Sequence, residues 1–534
     1  MEITSLNKKQ GPTMNIPIEN AIISVSDKLG LNDFARGLAD CGVTIYSTGG
    51  TRRHLEKAGL SVQDVSSYTG FPEMMDGRLK TLHPKIFGGI LCRQDRPDDM
   101  QAIDQHDIVP FPLVVVNLYP FEATISRSNI TVEEAIEQID IGGPSLVRAA
   151  AKNHAYVAIV TNAEQYSSVL LEIIETGCVS AELRRRLAAE AFSRTAAYDR
   201  AIADYFADQW DDGGFSPMMN LTLRRKSELR YGENPHQRAA VYREVGARGA
   251  SLVTARQLNG KELSYNNLLD LDSALSIVRQ LSQPAAAVIK HNNPCGAAVG
   301  SSLAAAATKA MAGDPLSAYG SVLGFNRTVD VDTAEVLSEP GLFIEAIVAP
   351  DFEAAAVGIL TTKPKWKKNV RLMQVGRLDD PPGMRHYRYI DGGMLVQQSD
   401  VGTDVESDWQ VVTDTQPSDE LLADLRFGWT VVRHVKSNAI LLAKDEAVCG
   451  VGAGQMSRVD SVEIAIHKAG DRAAGSILAS DAFFPFPDSI HQAADAGIAA
   501  IIQPGGSIRD PEVIAACNER HLPMIFTGRR HFKH

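Results

Sequence analysis

The sequence predicts an α/β protein built around parallel sheets, and three observations carry this prediction. From Ile16 to about Trp210, short apolar runs alternate with amphipathic stretches, the order typical of β–α–β units. Runs such as Leu113–Val116 lack polar alternation, as expected for strands that are covered on both faces. Several of these runs end in glycine-rich turns that open helices, which is where such sheets bind ligands.

The first half of the chain contains the clearest elements. Strands are predicted at 21–25, 43–46, 113–116 and 156–160, and helices at 32–39, 51–58 and, in one or two pieces, 181–206. Residues 211–217 are rich in Asp, Gly, Ser and Pro and form the best linker candidate. A second α/β region follows without a fixed-period repeat, and its Pro- and Gly-rich segment 377–393 suggests an internal boundary. We therefore predict a polar tail at 1–16, a first domain at 17–214 and a region of two subdomains at 215–534.

Composition limits the classes of function. A chain of 534 residues is too long for one hydrophobic core, and a formal net charge of -12 argues against a general nucleic-acid binder. The six cysteines are scattered without a Cys-x-x-Cys pair, which suits a reducing compartment. The first 20 residues lack an apolar core, and no apolar run approaches the roughly 18 residues of a membrane helix. We expect a cytoplasmic protein that binds no membrane.

A phosphate site is predicted in the first domain. The run from Ser47 to Thr51 follows a predicted strand and opens a helix, so its main-chain N–H groups can converge on an anion. Such a turn alone is more often only a structural connection between a loop and a helix, without a ligand. The preceding strand ends in further polar residues at the same sheet edge, which favours a ligand site. The residues proposed to bind phosphate are Ser26, Lys28, Ser47, Thr48, Gly49, Gly50 and Thr51.

Titratable side chains gather near the same predicted edge. Arg78, Lys80 and Thr81 lie among turn formers, and Tyr119 follows the buried valine run. Asp140 precedes a Gly-Gly-Pro helix start, and Lys152 lies on that helix. Each of these residues is a weak signal alone. Together, Lys80, Tyr119, Asp140 and Lys152 would supply acid–base groups beside a phosphate cradle, which suits a phosphorylated sugar or nucleotide.

Lys290 and His291 form the most informative pair in the second region. They follow the apolar run 285–289, so an ammonium and an imidazole arrive together at a strand end, before an Asn-Pro-Cys-Gly turn that should stop the strand. A neighbouring cation favours the neutral imidazole, which accepts protons, and the ammonium can meet negative charge on a carbonyl oxygen. This chemistry suits acyl or formyl transfer. A structural loop and a zinc site are the alternatives, although the Glu and second Cys of zinc deaminases are absent.

Other candidates in this region are individually weak. Arg230 could grip phosphate and Tyr231 could stack on a heterocycle, with His236 close behind in sequence. The Gly-rich turn 450–458 is a candidate anion or ligand turn that contains Gln455 and, as a phosphate candidate, Arg458. Asn438 lies in a polar loop, where it could orient a reacting group. Phe483 is either an aromatic wall or a core residue. A basic cluster at Lys363, Lys365, Lys367 and Lys368 is expected to be a solvated loop rather than a site for a polyanionic tail.

Taken together, these motifs resemble one family of purine biosynthesis enzymes. Its members join AICAR transformylase (phosphoribosylaminoimidazolecarboxamide formyltransferase) to IMP cyclohydrolase, and the resemblance covers the chain from about residue 17 to 534. The segments that carry it are 24–28, 47–51, 80–85, 117–121, 140–144, 229–237, 290–296, 435–438, 452–458, 481–486 and 530–532.

The resemblance implies a methylglyoxal-synthase-like first domain and a transformylase region of cytidine-deaminase-like subdomains without zinc. It implies formyl transfer from 10-formyltetrahydrofolate to AICAR, closure of the product FAICAR to IMP, and a homodimer with transformylase sites at its interface. Catalysis would fall to Lys290, His291 and Asn438 in the first step and to Lys80, Tyr119, Asp140 and Lys152 in the second. Arg530 and Phe532 join the expected substrate-binding residues.

Two departures from the family pattern are visible. Leu29 replaces a usual Thr and Phe87 a common His, and both changes could alter cyclohydrolase affinity. Two other functions stay open at this point. The first domain could serve only as a nucleotide-effector module, or the second half could be a zinc nucleoside deaminase.

Overall fold

A computed structural model describes residues 15–127, 129–210, 215, 217–244, 247, 249–379, 385–402 and 404–534. The chain divides into two compact units, Met1–Thr222 and Leu223–His534. Most of the predicted tail at 1–16 and of the predicted linker at 211–217, including the boundary at 214, lies outside the described residues. So does the middle of the segment 377–393, and both boundaries stay predictions.

The first unit is a five-stranded parallel sheet covered by helices, as the sequence predicts. Its sheet has the order β3-β2-β1-β4-β5. Its strands are β1 Asn20–Val25, β2 Thr44–Ser47, β3 Gln63–Asp64, β4 Leu113–Asn117 and β5 Ala158–Val160. Its helices are α1 Leu31–Asp40, α2 Gly49–Lys57, α3 Val65–Thr69, α4 Pro84–Leu91, α5 Pro97–Gln105, α6 Phe121–Ile125, α7 Val132–Glu137, α8 Gly142–Lys152, α9 Tyr166–Thr176 and α10 Ala181–Trp210.

The order of the strands creates a crevice in this unit. The chain moves outward in one direction from β1 to β3 and in the other from β4 to β5, so the direction reverses between β1 and β4. Open parallel sheets bind ligands at the carboxyl ends of the two strands where this reversal occurs. The apolar faces of β1 and β4 form the core of the unit, which leaves their ends to present polar groups.

The second unit is built on one mixed sheet of 12 strands and two short hairpins. Its strands are β6 Leu223–Leu229, β7 Ala239–Glu244, β8 Arg256–Asn259, β9 Ala285–Lys290, β10 Asn293–Val299, β11 Ser321–Phe325, β12 Ile344–Ala349, β13 Arg371–Gln374, β14 Arg385–Ile390, β15 Gly393–Gln398, β16 Gln410–Val411, β17 Ile440–Lys444, β18 Ala447–Gly452, β19 Ile477–Ser480, β20 Ala500–Gln503 and β21 Met524–Phe526. Its helices are α11 Tyr265–Val278, α12 Leu303–Met311, α13 Pro315–Ala318, α14 Val331–Leu337, α15 Ala354–Leu360, α16 Asp419–Val432, α17 Arg458–Ala469, α18 Asp488–Asp495 and α19 Asp510–Glu519.

This sheet contains the same arrangement twice. Its order is β16-β21-β20-β19-β17-β18-β10-β9-β11-β12-β13-β8. In each half a helix precedes an antiparallel hairpin, three mutually parallel strands follow, and an antiparallel strand closes the outer edge. The two hairpins, β9–β10 and β17–β18, meet at the centre through the pair Ala298 and Ala447. The sequence shows no such repeat because the halves share element order rather than spaced identities.

One local prediction is wrong. The first strand, β9, does end at Lys290, but the Asn-Pro-Cys-Gly segment is not a turn; it is the start of β10, which pairs back onto β9 with a bulge between Pro294 and Gly296. Proline is tolerated in a strand at bulges and where the ladder needs no N–H donor. Here the other edge of β10 pairs with β18 only at Ala298, so Pro294 interrupts no ladder on that side.

Gly296 supplies a test of the close packing behind this hairpin. A Cβ at this position would lie 1.9 Å from the carbonyl oxygen of Ala310, on a helix that cannot move independently. We predict that Gly296→Ala lowers the free energy of unfolding by about 1–3 kcal/mol, as overpacking does. Gly358, exposed inside α15 with no atom within 4 Å, is the matched control. Gly358→Ala should raise stability by about 0.5–1 kcal/mol; equal effects in chemical denaturation would contradict this account.

Candidate active sites

The crevice of the first unit is held together by Asn117, the last residue of β4. Its Oδ1 accepts hydrogen bonds from the main-chain N–H groups of Ser26 at 2.5 Å and Asp27 at 3.1 Å, and its Nδ2 donates to the Asp27 carbonyl at 2.7 Å. The Lys28 ammonium donates to the Ser26 carbonyl at 3.2 Å. Leu29, next along the loop, is 71% exposed and offers no hydroxyl. The loop after β1 is therefore fixed at the point where the strand order reverses.

The predicted phosphate cradle differs in detail from the expectation. Ser47 and Thr51 donate their hydroxyls to main-chain carbonyls of β1, at 2.7 and 2.9 Å, so they brace the turn. Thr48 contacts the carboxylate of Glu73 at 3.4 Å, an acid that sequence reasoning missed. The groups that remain for an anion are the N–H groups of Gly49 and Gly50 at the start of α2. Thr48 is the N-cap residue of this helix, and in the described part of the chain its side chain makes no capping hydrogen bond. The N–H groups at the helix start therefore suit an anion site.

Three of the four predicted acid–base residues meet beside this crevice. The Lys80 ammonium donates to the Tyr119 hydroxyl at 3.2 Å. Asp140 accepts from the Gly143 N–H at 2.8 Å, and burial raises the pKa of its carboxyl, while hydrogen bonds from Gly143 and the charge of Lys80 oppose that rise. Asp140 thus holds a proton more readily than an exposed carboxyl. A proton donor, a hydroxyl and an ammonium lie together.

The flanking candidates are placed in different ways. Thr81 is 3% exposed and lies against Gly142, where a Cβ would come within 3.2 Å of its hydroxyl. Arg78 is paired with Glu137 on the surface. Both residues lie next to Lys80 in sequence. Thr81 packs under the site against Gly142, and the Arg78 guanidinium is engaged by Glu137 at the surface.

Lys152 is not brought to this group. It is the last residue of α8, and its Cα is separated from the start of that helix by about 15 Å at 1.5 Å per residue. Its side chain lines a separate cavity of about 580 Å³ with Phe87, Arg148, His154 and Phe192. The departure at Phe87 therefore alters this second cavity and not the crevice at Lys80.

In the second unit, the turn of the β9–β10 hairpin consists of His291 and Asn292. Both residues have positive φ, 52° and 63°, as a two-residue hairpin turn that matches the strand twist requires. Asp270 of α11 holds this turn by accepting from the Asn292 N–H at 2.7 Å. Burial raises the pKa of Asp270, and the charge of His291 opposes that rise. Few residues other than glycine adopt positive φ, and the hydrogen bond to Asp270 holds His291 and Asn292 in this conformation.

The turn opens into a cavity of about 420 Å³. The Lys290 ammonium lies at its wall and donates to the carbonyls of Tyr319 and Gly320 at 3.1 and 2.9 Å, while the His291 ring is exposed. The cavity brings together Arg230, Tyr231, Lys290 and His291, as the sequence predicts, and adds Lys261, Asp270, Glu345 and Arg371, which it missed. Glu345 could have been found as the lone charge within the apolar strand β12.

Asn438 and Arg458 form a second polar group. Asn438 donates from Nδ2 to the Gln455 carbonyl at 2.9 Å and accepts from Arg458 at 2.8 Å. The Arg458 guanidinium is 6% exposed and is paired with the buried Asp481 at 2.6 Å. The prediction that Arg458 grips phosphate does not fit these contacts, because its donors are engaged inside the protein. Arg458 positions Asn438 instead.

The aromatic and basic candidates divide by exposure. Phe483 is 37% exposed and Phe532 40%, whereas Phe484 is fully buried, so Phe483 is a surface wall and not a core residue. Arg530 lies over the Phe532 ring at 4.3 Å and Arg230 over Tyr231 at 5.4 Å. His236 is exposed. In the basic cluster Lys363 pairs with Glu335 and Lys367 donates to a nearby carbonyl at 2.7 Å, as expected of a solvated loop.

The described residues give the zinc alternative no set of ligands. No group of three or more His, Cys, Asp or Glu side chains in the described ranges is placed to hold a metal ion. Burial raises the pKa of the Cys295 thiol to about 12, which disfavours the thiolate that zinc needs. In the same part of the chain, no helix is both long and apolar enough to cross a bilayer.

The second half of the large sheet contains a counterpart of the Lys290 turn. Lys444 ends β17 as Lys290 ends β9, and its ammonium donates to the carbonyl of Ala474 at 3.2 Å. The turn that follows has positive φ at Asp445 and Glu446, and both N–H groups donate to a helix carboxylate, Asp424. The scaffold is thus present twice. An imidazole at the turn occurs in only one copy.

Fold and sites together define a two-unit α/β protein with an open helix start beside a Lys–Tyr–Asp group in one unit and a cavity lined by Lys290 and His291 in the other. Comparison with known proteins gives the family. Residues 150–468 match the AICARFT/IMPCHase bienzyme and residues 30–145 the MGS-like domain. Curated relatives described as "Bifunctional purine biosynthesis protein PurH" are 66% identical in Rhodopirellula baltica, over 97% of this chain and 99% of the relative, and 51% identical in Desulfitobacterium hafniense, over 96% and 99%. This chain belongs to the AICARFT/IMPCHase bienzyme family.

The matches confirm the fold class and the resemblance and give no support to an effector-only module or a zinc deaminase. A relative in Persephonella marina is 49% identical over 96% of this chain and 99% of its own length. The crystal structure of ForH matches 36% of this chain and 98% of its own with 31% identity and a TM-score of 0.34, and no argument rests on it.

The raised pKa of Asp140 makes a prediction about stability and pH. Because the folded carboxyl binds its proton more tightly than the unfolded one, stability falls as pH rises from the ordinary value of 3.8 through the raised pKa. Asp140→Asn keeps an acceptor for Gly143 and never ionises. We predict that its stability relative to wild type is greater at pH of about 7.5 than at about 4, in chemical denaturation. Asp40→Asn, at an exposed carboxyl of the same unit, is the control; a pH-independent difference for Asp140→Asn would refute the burial argument.

Proposed function

We propose that the cavity at Lys290 and His291 performs the formyl transfer, and the crevice at Lys80 the ring closure, of a bifunctional purine biosynthesis enzyme. The family gives the chain its two activities, AICAR formyltransferase and IMP cyclohydrolase. One observation supports the assignment most strongly. A two-residue turn places an exposed imidazole next to an anchored ammonium at the mouth of a cavity of about 420 Å³.

In the first step, the 5-amino group of AICAR attacks the formyl carbon of 10-formyltetrahydrofolate. This amine is conjugated with its ring and is a poor nucleophile, so it must lose a proton as the new C–N bond forms. His291 accepts that proton because its ring is exposed at the turn and lines the same cavity as Lys290. The bond from the formyl carbon to the folate nitrogen then breaks, and the proton passes to that nitrogen.

Lys290 and Asn438 act on the formyl oxygen. The Lys290 ammonium has three donors, of which two are held by the carbonyls of Tyr319 and Gly320, so the third can meet the developing oxyanion. Asn438 orients the formyl group. Its Nδ2 donates to the carbonyls of Gln455 at 2.9 Å and Met456 at 3.2 Å, and its Oδ1 accepts from Arg458, so one of the two donated bonds is exchanged when Asn438 meets the formyl oxygen.

The ribotide is recognised by groups around the cavity. Arg230 and Tyr231 offer a cation and a ring, and Glu345 of β12 offers an acceptor for hydroxyl or amine donors. Arg371 donates to Glu345 at 3.0 Å and keeps that carboxylate in place. His236, Gln455, Phe483, Arg530 and Phe532 complete the proposed binding set.

In the second step, the carboxamide nitrogen of FAICAR attacks its own formyl carbon and water leaves. Because the reaction is intramolecular, proximity supplies much of the rate. Lys80 stabilises the oxyanion, and Asp140, whose pKa burial raises, gives the proton with which the hydroxyl leaves as water. Tyr119 relays protons through its contact with Lys80. The amides of Gly49 and Gly50 hold the phosphate.

Three further properties belong to this proposal. The one-carbon donor is 10-formyltetrahydrofolate, and the chemistry is carried by side chains without a metal. The chain works in the cytoplasm as a homodimer whose transformylase sites lie at the interface. The length of α8 separates Lys152 from Asp140. Lys152 therefore takes part in ring closure only if its side chain reaches the crevice by a route other than the group of Lys80, Tyr119 and Asp140.

His291 tests the first assignment. We predict that His291→Ala lowers formyl transfer by roughly 10²–10⁴-fold, the usual value of a general base, and leaves closure of supplied FAICAR unchanged. Asp445→Ala, in the equivalent turn of the other half, is the matched control and should retain formyl transfer. For both variants, chromatography follows product formation from AICAR and 10-formyltetrahydrofolate, which measures formyl transfer, and from supplied FAICAR, which measures ring closure. Wild-type transfer by His291→Ala would refute the role.

Lys80 tests the second assignment. We predict that Lys80→Ala lowers ring closure by roughly 10²–10³-fold, as removal of one oxyanion donor does, so that FAICAR accumulates while its formation continues. Lys57→Ala, at the end of α2 in the same unit, is the control and should cyclise normally. If both variants produced IMP at the same rate, ring closure would have to be placed elsewhere.

A further inference from the structure

The last residues of the chain alternate between two environments. His531 is 1% exposed and Lys533 is partly buried, whereas Arg530 and Phe532 are exposed and stack on each other at 4.3 Å. An extended segment sends successive side chains to opposite faces, so anchoring one face fixes the direction of the other. The orientation of Arg530 and Phe532 therefore depends on what holds His531.

His531 is held by two acidic residues. Its Nδ1 donates to the Asp400 carboxylate at 2.6 Å, and its Nε2 lies 2.9 Å from Asp404 Oδ2. Asp404 is itself buried, pairs with Arg433 at 3.0 Å and accepts from the Trp429 indole. The Arg433 guanidinium also lies 3.3 Å from Nε2. The hydrogen bond from His531 lowers the pKa of Asp400. This cluster lies outside the cavity at Lys290, whose lining includes none of its members among the described residues.

The anchored tail reaches the proposed transformylase site through its main chain. Ser437 donates its N–H to the Lys533 carbonyl at 2.8 Å, and the Lys533 N–H donates to the Ser437 hydroxyl at 3.3 Å. Ser437 precedes Asn438 directly. On its other side, the Lys436 N–H donates to Asn293, next to the His291 turn, at 3.0 Å. The tail, the Asn438 loop and the hairpin are thus joined by consecutive hydrogen bonds.

We propose that His531 is a positioning residue for formyl transfer. By tying the C-terminal segment to Asp400 and Asp404, it directs Arg530 and Phe532 toward the ribotide and braces the loop that carries Asn438. It touches no reacting atom. This inference rests on the proposed location of formyl transfer, which the His291→Ala variant tests separately.

The test compares two variants of the full-length chain. His531→Ala removes both contacts, and His531→Asn places an amide donor where Nδ1 stood, so that the bond to Asp400 can reform. We expect His531→Ala to raise the KM for AICAR by roughly tenfold to hundredfold with a smaller change in kcat, since misplacement of about 1 Å has effects of this size. His531→Asn should recover most of the loss. Closure of supplied FAICAR should be unchanged in both.

Stability is controlled with Val513→Ala, a core truncation in α19 of the same unit. It should lower the melting temperature without raising the KM for AICAR. If His531→Ala proves too unstable to isolate, Asp400→Ala replaces it, because Asp400 is half exposed and the change should raise the KM in the same direction. An unchanged KM in His531→Ala or Asp400→Ala, or equal losses in His531→Ala and Val513→Ala, would overturn the proposal. Wild-type formyl transfer by His291→Ala would instead refute the proposed location of that step.

Discussion

The proposed transformylase site depends on one constraint, the two-residue turn between β9 and β10. Antiparallel pairing of Lys290 with Asn293 forces His291 and Asn292 into the left-handed region, which side chains other than glycine resist. Asp270 stabilises the turn by accepting the Asn292 N–H. Because both strands are buried in the central sheet, the backbone of the turn is held in place before any substrate arrives.

The repeated half of the sheet separates scaffold from chemistry within one chain. Both hairpins have a lysine at the strand end whose ammonium donates to carbonyls before the next parallel strand, and both have a helix aspartate under the turn. These shared features serve the fold. His291 has no counterpart at the second hairpin, and it lines the cavity with Lys290, where the proposed chemistry uses it. The anchoring of Lys290 is thus shared with Lys444 of the other half.

Sequence patterns predicted the elements well where periodicity was strong and poorly where long-range pairing decided the outcome. Four of the five parallel strands of the first unit lie within two residues of their predicted bounds, since buried valine and isoleucine runs favour one conformation, whereas the two-residue strand β3 was not predicted. Pro294 suggested a turn because proline cannot donate a hydrogen bond to a β-ladder. The proline is tolerated in β10 because the edge that faces β18 pairs only at Ala298. The engaged donors of Arg458 and the distance of Lys152 could not be predicted, because both depend on which elements fold back against them.

The different chemical demands of the two reactions explain why the two sites are built differently. Formyl transfer joins two molecules through a weak nucleophile, so it needs a base, an oxyanion donor and several groups that hold both partners. Ring closure joins two parts of one molecule, and proximity alone can supply effective molarities of roughly 10⁵–10⁸ M. A crevice with helix amides for phosphate and one carboxyl as acid is then sufficient for the proposed ring closure. Burial raises the pKa of Asp140, which favours the protonated form that this proposed role requires.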